Sequence, residues 1–157
     1  MSLETRVSIA EAEQLIKEAF LRNGVKEAVA VSVSTALVAA EAEGQVGHGF
    51  SRVKDYLAQV KSKKINVDAK IKIEHPKPTS ISIDADYGFA YPALDQAISE
   101  GALTAKEYGS AIVSIFNSHH CGALSVQVEK IAKQGLIGVM MANTPKAIAP
   151  WGGKDPF

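Results

Sequence analysis

Between Ser8 and Gly24 apolar residues recur every three or four positions, at Ile9, Ala12, Leu15, Ile16, Ala19 and Phe20. That period predicts an amphipathic helix. Ser8 with Glu11 three residues on gives it a capping box, and Asn23-Gly24 a stop. From Lys26 to Glu43 the stripe Val29, Val33, Ala36, Leu37, Ala40 keeps helical spacing, so a second helix is expected despite its β-branched content, ending at Gly44. The glycine-punctuated stretch GQVGHG (44–49) reads as a turn. A third helix of about three turns follows. It starts near His48, turns Val53, Leu57 and Val60 inward, and leaves its KSKK end (61–64) to water.

After Ile65 the period changes to two. KIKIEH (70–75) and TSISIDA (79–85) each place a pair of isoleucines on one face, Ile71/Ile73 and Ile81/Ile83, and PKP between them predicts a turn joining two strands. Pro92 opens a helix with Leu94, Ile98, Ala102 and Ala105, stopped by Gly109. SAIVSIF (110–116) is expected to be a buried strand, residues 122–134 a helix facing inward through Leu124, Val128 and Ile131, and LIGVMMA (136–142) a second buried strand. The class is therefore α/β, or mixed α+β. A helical N-terminal region, 1–66, precedes a mixed sheet with packed helices, 67–157, with no linker or repeat between them.

Composition narrows the function. With 157 residues, 46% of them hydrophobic, the chain can fill one core. Seventeen basic residues balance seventeen acidic ones, which gives no electrostatic reason to expect nucleic acid or an anionic membrane as partner and favours a small ligand in a local pocket. One cysteine makes no internal disulfide, and the chain shows neither a secretory leader nor an apolar run long enough to span a bilayer, so a cytoplasmic protein is expected. The end, PWGGKDPF, leaves the α/β pattern unclosed and reads as a stop within a longer chain.

Two stretches carry candidate chemistry. FNSHHCGALS (116–125) lies where a strand ends and a helix begins, the edge at which ligands gather in α/β sheets and unpaired helix N–H groups attract negative charge. His119, His120 and Cys121 are contiguous, so their side chains diverge, and with no second cysteine no zinc site is expected. A proton-transfer histidine, a Cys121 nucleophile with His48 as its base, and a polar turn capping a helix stay open. In GHGFSRVKDYL (47–57), His48, Arg52 and Tyr56 are spaced i, i+4, i+8, which on one helix makes a polar stripe able to receive a small anion; the bland alternative pairs Arg52 with Asp55 in solvent. The order G-x-x-G-x-G after a helix is no dinucleotide fingerprint.

With HG-x-x-R-x-x-x-Y at 48–56 and H-x-G at 120–122 in this order, the chain resembles the malate/L-lactate dehydrogenase family, whose members lack the ordinary Rossmann fold, and corresponds to about the first half of their length. The resemblance implies an NAD- or NADP-dependent oxidoreductase acting on a small 2-hydroxy or 2-oxo acid and assembled as a homodimer. It places the proton donor or acceptor at His120, a second catalytic histidine at His48, and substrate contacts at Arg52, Tyr56 and Thr144. Cofactor contacts fall on Cys121, Gly122, Ala123, Leu124 and Ser125, and no metal is implied. The family's usual serine before its first motif histidine is Gly47 here, which removes that histidine's family partner and widens the expected pocket. The alternative is a non-catalytic binding or assembly module that retains the fold.

Overall fold

Ser8 opens α1 (Ile9–Leu21) with the expected capping box: Ser8 Oγ accepts from the Glu11 N–H, and the Glu11 carboxylate accepts from the Ser8 N–H at 2.8 Å. The computed structural model describes residues 6–144 and 149–155. α1 buries Ala12, Ile16 and Phe20 but leaves Ile9 and Leu15 exposed. α2 (Glu27–Ala42) is buried on more than one side, through Val33, Ala36, Leu37, Val38 and Ala40. A single 3-10 turn (Val46–His48) separates it from α3 (Ser51–Lys61). His48 therefore precedes α3 instead of starting it, because Gly49 interrupts the helical backbone between the two elements. The lysines after α3 are exposed, as expected.

The sheet has the order β1-β2-β3, formed by β1 (Lys72–Lys77), β2 (Ser80–Asp84) and β3 (Ile112–Phe116). β1 and β2 are antiparallel with Ile73 opposite Ile83; β2 and β3 are parallel with Ile83 opposite Ile115. Pro76 and Lys77 belong to β1 and do not form the turn, and the register slips between Glu74 and Lys77. An edge strand tolerates a proline at such an irregularity because no N–H is demanded there. α4 (Ala90–Tyr108) connects the parallel pair and ends on Gly109 in the left-handed region. It packs Ala93 and Ala97 on Ile81 and Ile83, with Ile71, Ile73, Val113 and Ile115 at the margin. A second cluster joins Phe20, Val33, Leu37, Tyr56, Val60, Phe89, Tyr91 and Leu94, so the helical segment and the sheet segment share a core.

Three expectations need correction. β3 is covered on one face only: Val113 and Ile115 are half-buried, whereas Ile112 and Phe116 are exposed, because α4 covers a single side of the sheet. α5 (Leu124–Ala132) buries Val126 and Gln127, not the stripe Leu124, Val128 and Ile131. It packs against α4, to which Lys130 is tied through Asp95 at 2.8 Å, and against α2, whose small residues Ala39 and Ala40 meet Ala123 and Val126. LIGVMMA is in no ladder among the described residues, and Ile137, Val139 and Met141 are exposed. Its alternation is that of a strand, but no described strand lies beside it to receive its backbone groups.

Candidate active site

The turn that carries His48 is tied from both sides. Glu41 at the end of α2 accepts the Phe50 N–H at 2.7 Å, Ser51 Oγ donates to the Val46 carbonyl at 2.6 Å, and Arg52 Nε donates to the Gly47 carbonyl at 2.6 Å. Gly49 lies against Glu41, where any Cβ would come within 3.0 Å of that residue's Cα. The glycine of the HG pair is thus a packing requirement.

The loop that carries His120 is anchored to the turn after β2. The Tyr87 N–H donates to the Asn117 carbonyl at 2.6 Å, the His119 N–H to the Gly88 carbonyl at 3.1 Å, and Asn117 Nδ2 to Asp84 at 3.1 Å. These bonds direct the chain from the carboxyl end of β3 back over α3. There the two stretches meet. His120 Nδ1 lies 2.7 Å from the Tyr56 hydroxyl, and Tyr56 lies 3.0 Å from the Tyr91 hydroxyl. The rings of His48 and His120 stack at 5.4 Å with 8° between their planes. Burial, the Arg52 charge and His48 together hold His120 below the ordinary histidine value. Burial pushes the Tyr56 hydroxyl up to about 12 and the Tyr91 hydroxyl upward as well, so both phenols stay protonated. Arg52 stands at the rim, half-exposed, with Asp55 4.0 Å from its Nη1. At that distance the expected solvent pairing is weak, so most of the guanidinium fork remains available.

Gly122 has φ +71°, and a Cβ there would fall 2.6 Å from the Tyr91 oxygen. Gly122→Ala is therefore expected to cost about 1–3 kcal/mol through overpacking and the left-handed backbone. Urea denaturation of the chain measures it; an unchanged midpoint would mean that Tyr91 moves aside freely.

His119 has a different environment. Its Nε2 pairs with Gln59 Oε1, its ring meets the edges of Tyr56 and Phe89, and its Nδ1 is buried with no partner among the described residues. Burial first, then His120 and Lys64, lower it from 6.5 to about 4. The unfolded chain then binds the proton first as pH falls, so this residue's share of stability is present above 6.5 and lost progressively from 6.5 towards about 4. His119→Gln should shrink the loss of denaturation midpoint between pH 7 and pH 5; an equally large loss in the variant would place the effect elsewhere.

The other expected residues follow His120 along its loop into the start of α5, apart from Thr144. Gly122 and Ala123 are buried, Cys121 and Leu124 half-buried, and Ser125 is exposed. Ser125 Oγ donates to Glu43 at 3.2 Å and accepts from Gln45 Nε2 at 2.6 Å. Burial pushes the Cys121 thiol up, and His48 stacks on His120, an arrangement that does not activate a thiolate nucleophile. Thr144 is exposed in the run after α5. Among the described residues no three His, Cys, Asp or Glu side chains gather as metal ligands, and no helix is long and apolar enough to cross a membrane. An open groove lies elsewhere, lined by His75, Pro78, Glu100, Leu103, Glu107 and Tyr108, none of them an expected site residue. Tyr91 and Gln59 were missed by sequence reasoning. Gln59 was findable, since it continues the Arg52/Tyr56 stripe at i+3, whereas nothing in the apolar start of α4 singles out Tyr91.

Residues 7–157 match the family described as Malate/L-lactate dehydrogenase. The chain belongs to that family. Among its relatives, (2R)-3-sulfolactate dehydrogenase (NADP(+)) of Chromohalobacter salexigens is 39% identical over 151 residues, which is 96% of this chain and 45% of that protein. Ureidoglycolate dehydrogenase (NAD(+)) of Escherichia coli O157:H7 is 30% identical over 97% of this chain and 44% of its own length. The crystal structure of delta1-piperideine-2-carboxylate reductase from Pseudomonas syringae superposes with a TM-score of 0.80 at 32% identity, covering 84% of this chain and 40% of that one. The chain spans less than half the length of these relatives. The structural match establishes the fold of these dehydrogenases over the shared part.

Proposed function

We propose that the whole protein is an NAD(P)-dependent oxidoreductase of small 2-hydroxy, 2-oxo or 2-imino acids. The observation that carries this reading is the convergence of His120, His48, Tyr56 and Arg52 from α3, the turn before it and the loop after β3. His120 is the group placed to pass on the proton that must move when substrate C2 changes oxidation state; lowered basicity leaves its ring neutral near pH 7, so the ring takes up a proton before it gives one to a 2-oxo or 2-imino substrate. Arg52 anchors the substrate carboxylate with the part of its fork not spent on Gly47. His48 forms the wall against which His120 stacks, and Tyr56 holds the His120 ring at its Nδ1 edge.

The residues fit a nicotinamide dinucleotide in one respect. α5 starts at Ala123 without a side-chain cap, which leaves its first N–H groups for an anionic part of NAD or NADP. Cys121, Leu124 and Ser125 border that end, and buried Gly122 and Ala123 shape its backbone. When bound, the dinucleotide supplies or accepts the hydride. Thr144 is assigned to the substrate side, and a homodimer is the proposed assembly.

Nicotinamide absorbance, followed in the whole protein with malate, lactate, sulfolactate, their 2-oxo forms and cyclic imino acids, tests the proposal. Turnover of at least one acid is expected. Absence of turnover with all of them, together with absence of dinucleotide binding, would favour the non-catalytic module instead.

A further inference from the structure

A histidine that moves protons is useful only when the nitrogen facing the substrate carries the proton in the required state. Second partners, usually a carboxylate or a carbonyl, settle which nitrogen that is. No described carboxylate bonds His120. Its Nδ1 has two neighbours: the Tyr56 hydroxyl at 2.7 Å and the Gly122 N–H at 3.3 Å. A backbone N–H can only donate, so Nδ1 presents a lone pair to it. Tyr56 then also donates to Nδ1, and its own oxygen is left to accept. The Tyr91 hydroxyl, 3.0 Å away, is the donor in position to fill it.

We propose that Tyr91 is a positioning residue: its hydroxyl donates to Tyr56, Tyr56 donates to His120 Nδ1, and the two phenols with the Gly122 N–H fix the neutral ring with its proton on Nε2. Both phenols are almost wholly buried, Tyr56 at 1% and Tyr91 at 2% exposure, and burial of a hydroxyl without a partner is costly. The Tyr91 oxygen is confined between Tyr56 and the missing Cβ of Gly122, which explains the glycine of H-x-G by packing as well as by backbone angle. Other titratable or charged groups near His120 are Arg52 on α3, His48 on the turn, and His119 and Cys121 on its own loop; none is bonded to Nδ1. Nε2 has no partner among the described residues and is the nitrogen left for a substrate oxygen or imine nitrogen. With Nε2 protonated, the resting ring donates a hydrogen bond to a carbonyl or imine, and so favours binding of the 2-oxo or 2-imino form over the hydroxyl; giving up the proton itself requires the ring to be charged first. That consequence rests on the proposed dehydrogenase reading; the tautomer itself does not.

Nitrogen-15 NMR of histidine-labelled chain, with His120 assigned by its absence from His120→Gln, tests the proposal without any turnover. In the native chain at neutral pH the Nδ1 resonance is expected in the unprotonated range and Nε2 in the protonated range; the reverse would overturn the proposal even if no variant folds. Tyr91→Phe keeps the buried ring and removes the hydroxyl, and both resonances should then move towards the averaged position of a free imidazole. A folded Tyr91→Phe with unmoved His120 resonances would reduce Tyr91 to packing and overturn the assignment. In the whole protein the same variant should lower kcat about fivefold, the rate equivalent of one buried neutral hydrogen bond, with KM little changed. A protein without turnover but with the expected resonances would sink the dehydrogenase reading and leave the positioning of His120 standing.

Discussion

His120→Ala is expected to lower kcat of the whole protein by about 10²–10⁴, the range for losing a general acid or base, and to leave dinucleotide affinity nearly unchanged. The size follows from the placement of the ring. Its Nδ1 is committed to Tyr56 and Gly122, its face is against His48, and its other nitrogen has no partner among the described residues. The neighbouring histidine provides the control. His119 spends Nε2 on Gln59 and buries Nδ1 among Tyr56 and Phe89, so His119→Ala should reduce stability more than kcat. Steady-state kinetics of both variants decides between the two rings. Equal losses of kcat at both positions would remove His120 from its role.

Helices α1, α2 and α4 were legible because they are bounded by residues with local meaning: the Ser8/Glu11 box, Gly24, Gly44 and left-handed Gly109. The strand pair was legible because isoleucine alternation needs only one covered face, which α4 provides. What failed depended on neighbours that no local pattern encodes. LIGVMMA alternates like a strand, yet a strand also requires a partner, and the described residues offer none. α5 was read by its largest residues, whereas α2 presents alanines to it and so selects the face of Val126 and Gln127. The site divides in the same way. His120, His48, Arg52 and Tyr56 were visible as titratable or forked side chains at meaningful spacing. The residue behind them, Tyr91, lies in a helix start that looks merely apolar, and its part emerges only when α3 and α4 bring two hydroxyls to 3.0 Å.

Arg52→Lys is expected to weaken substrate binding by about 1.5–3 kcal/mol, seen as a raised KM, although the charge is kept. On the proposed role of Arg52, the expected loss exceeds that of one contact. The Nε–H of Arg52 is bonded to the Gly47 carbonyl at 2.6 Å, inside the turn that positions His48, and this leaves the terminal nitrogens to face a carboxylate in parallel. An ammonium can serve the carbonyl or the carboxylate, not both in that geometry. Lysine therefore loses the bidentate anchor and also loosens the turn beneath His48, so a smaller decrease in kcat should accompany the rise in KM. The half-exposed position of Arg52 limits the effect of bare charge, since water and salt screen it there, and so the geometry of the fork must carry most of the difference. Substrate saturation curves of the two proteins at one ionic strength measure this. If Arg52→Lys shows an unaltered KM, Arg52 serves the turn alone, and the carboxylate anchor must be sought on another residue.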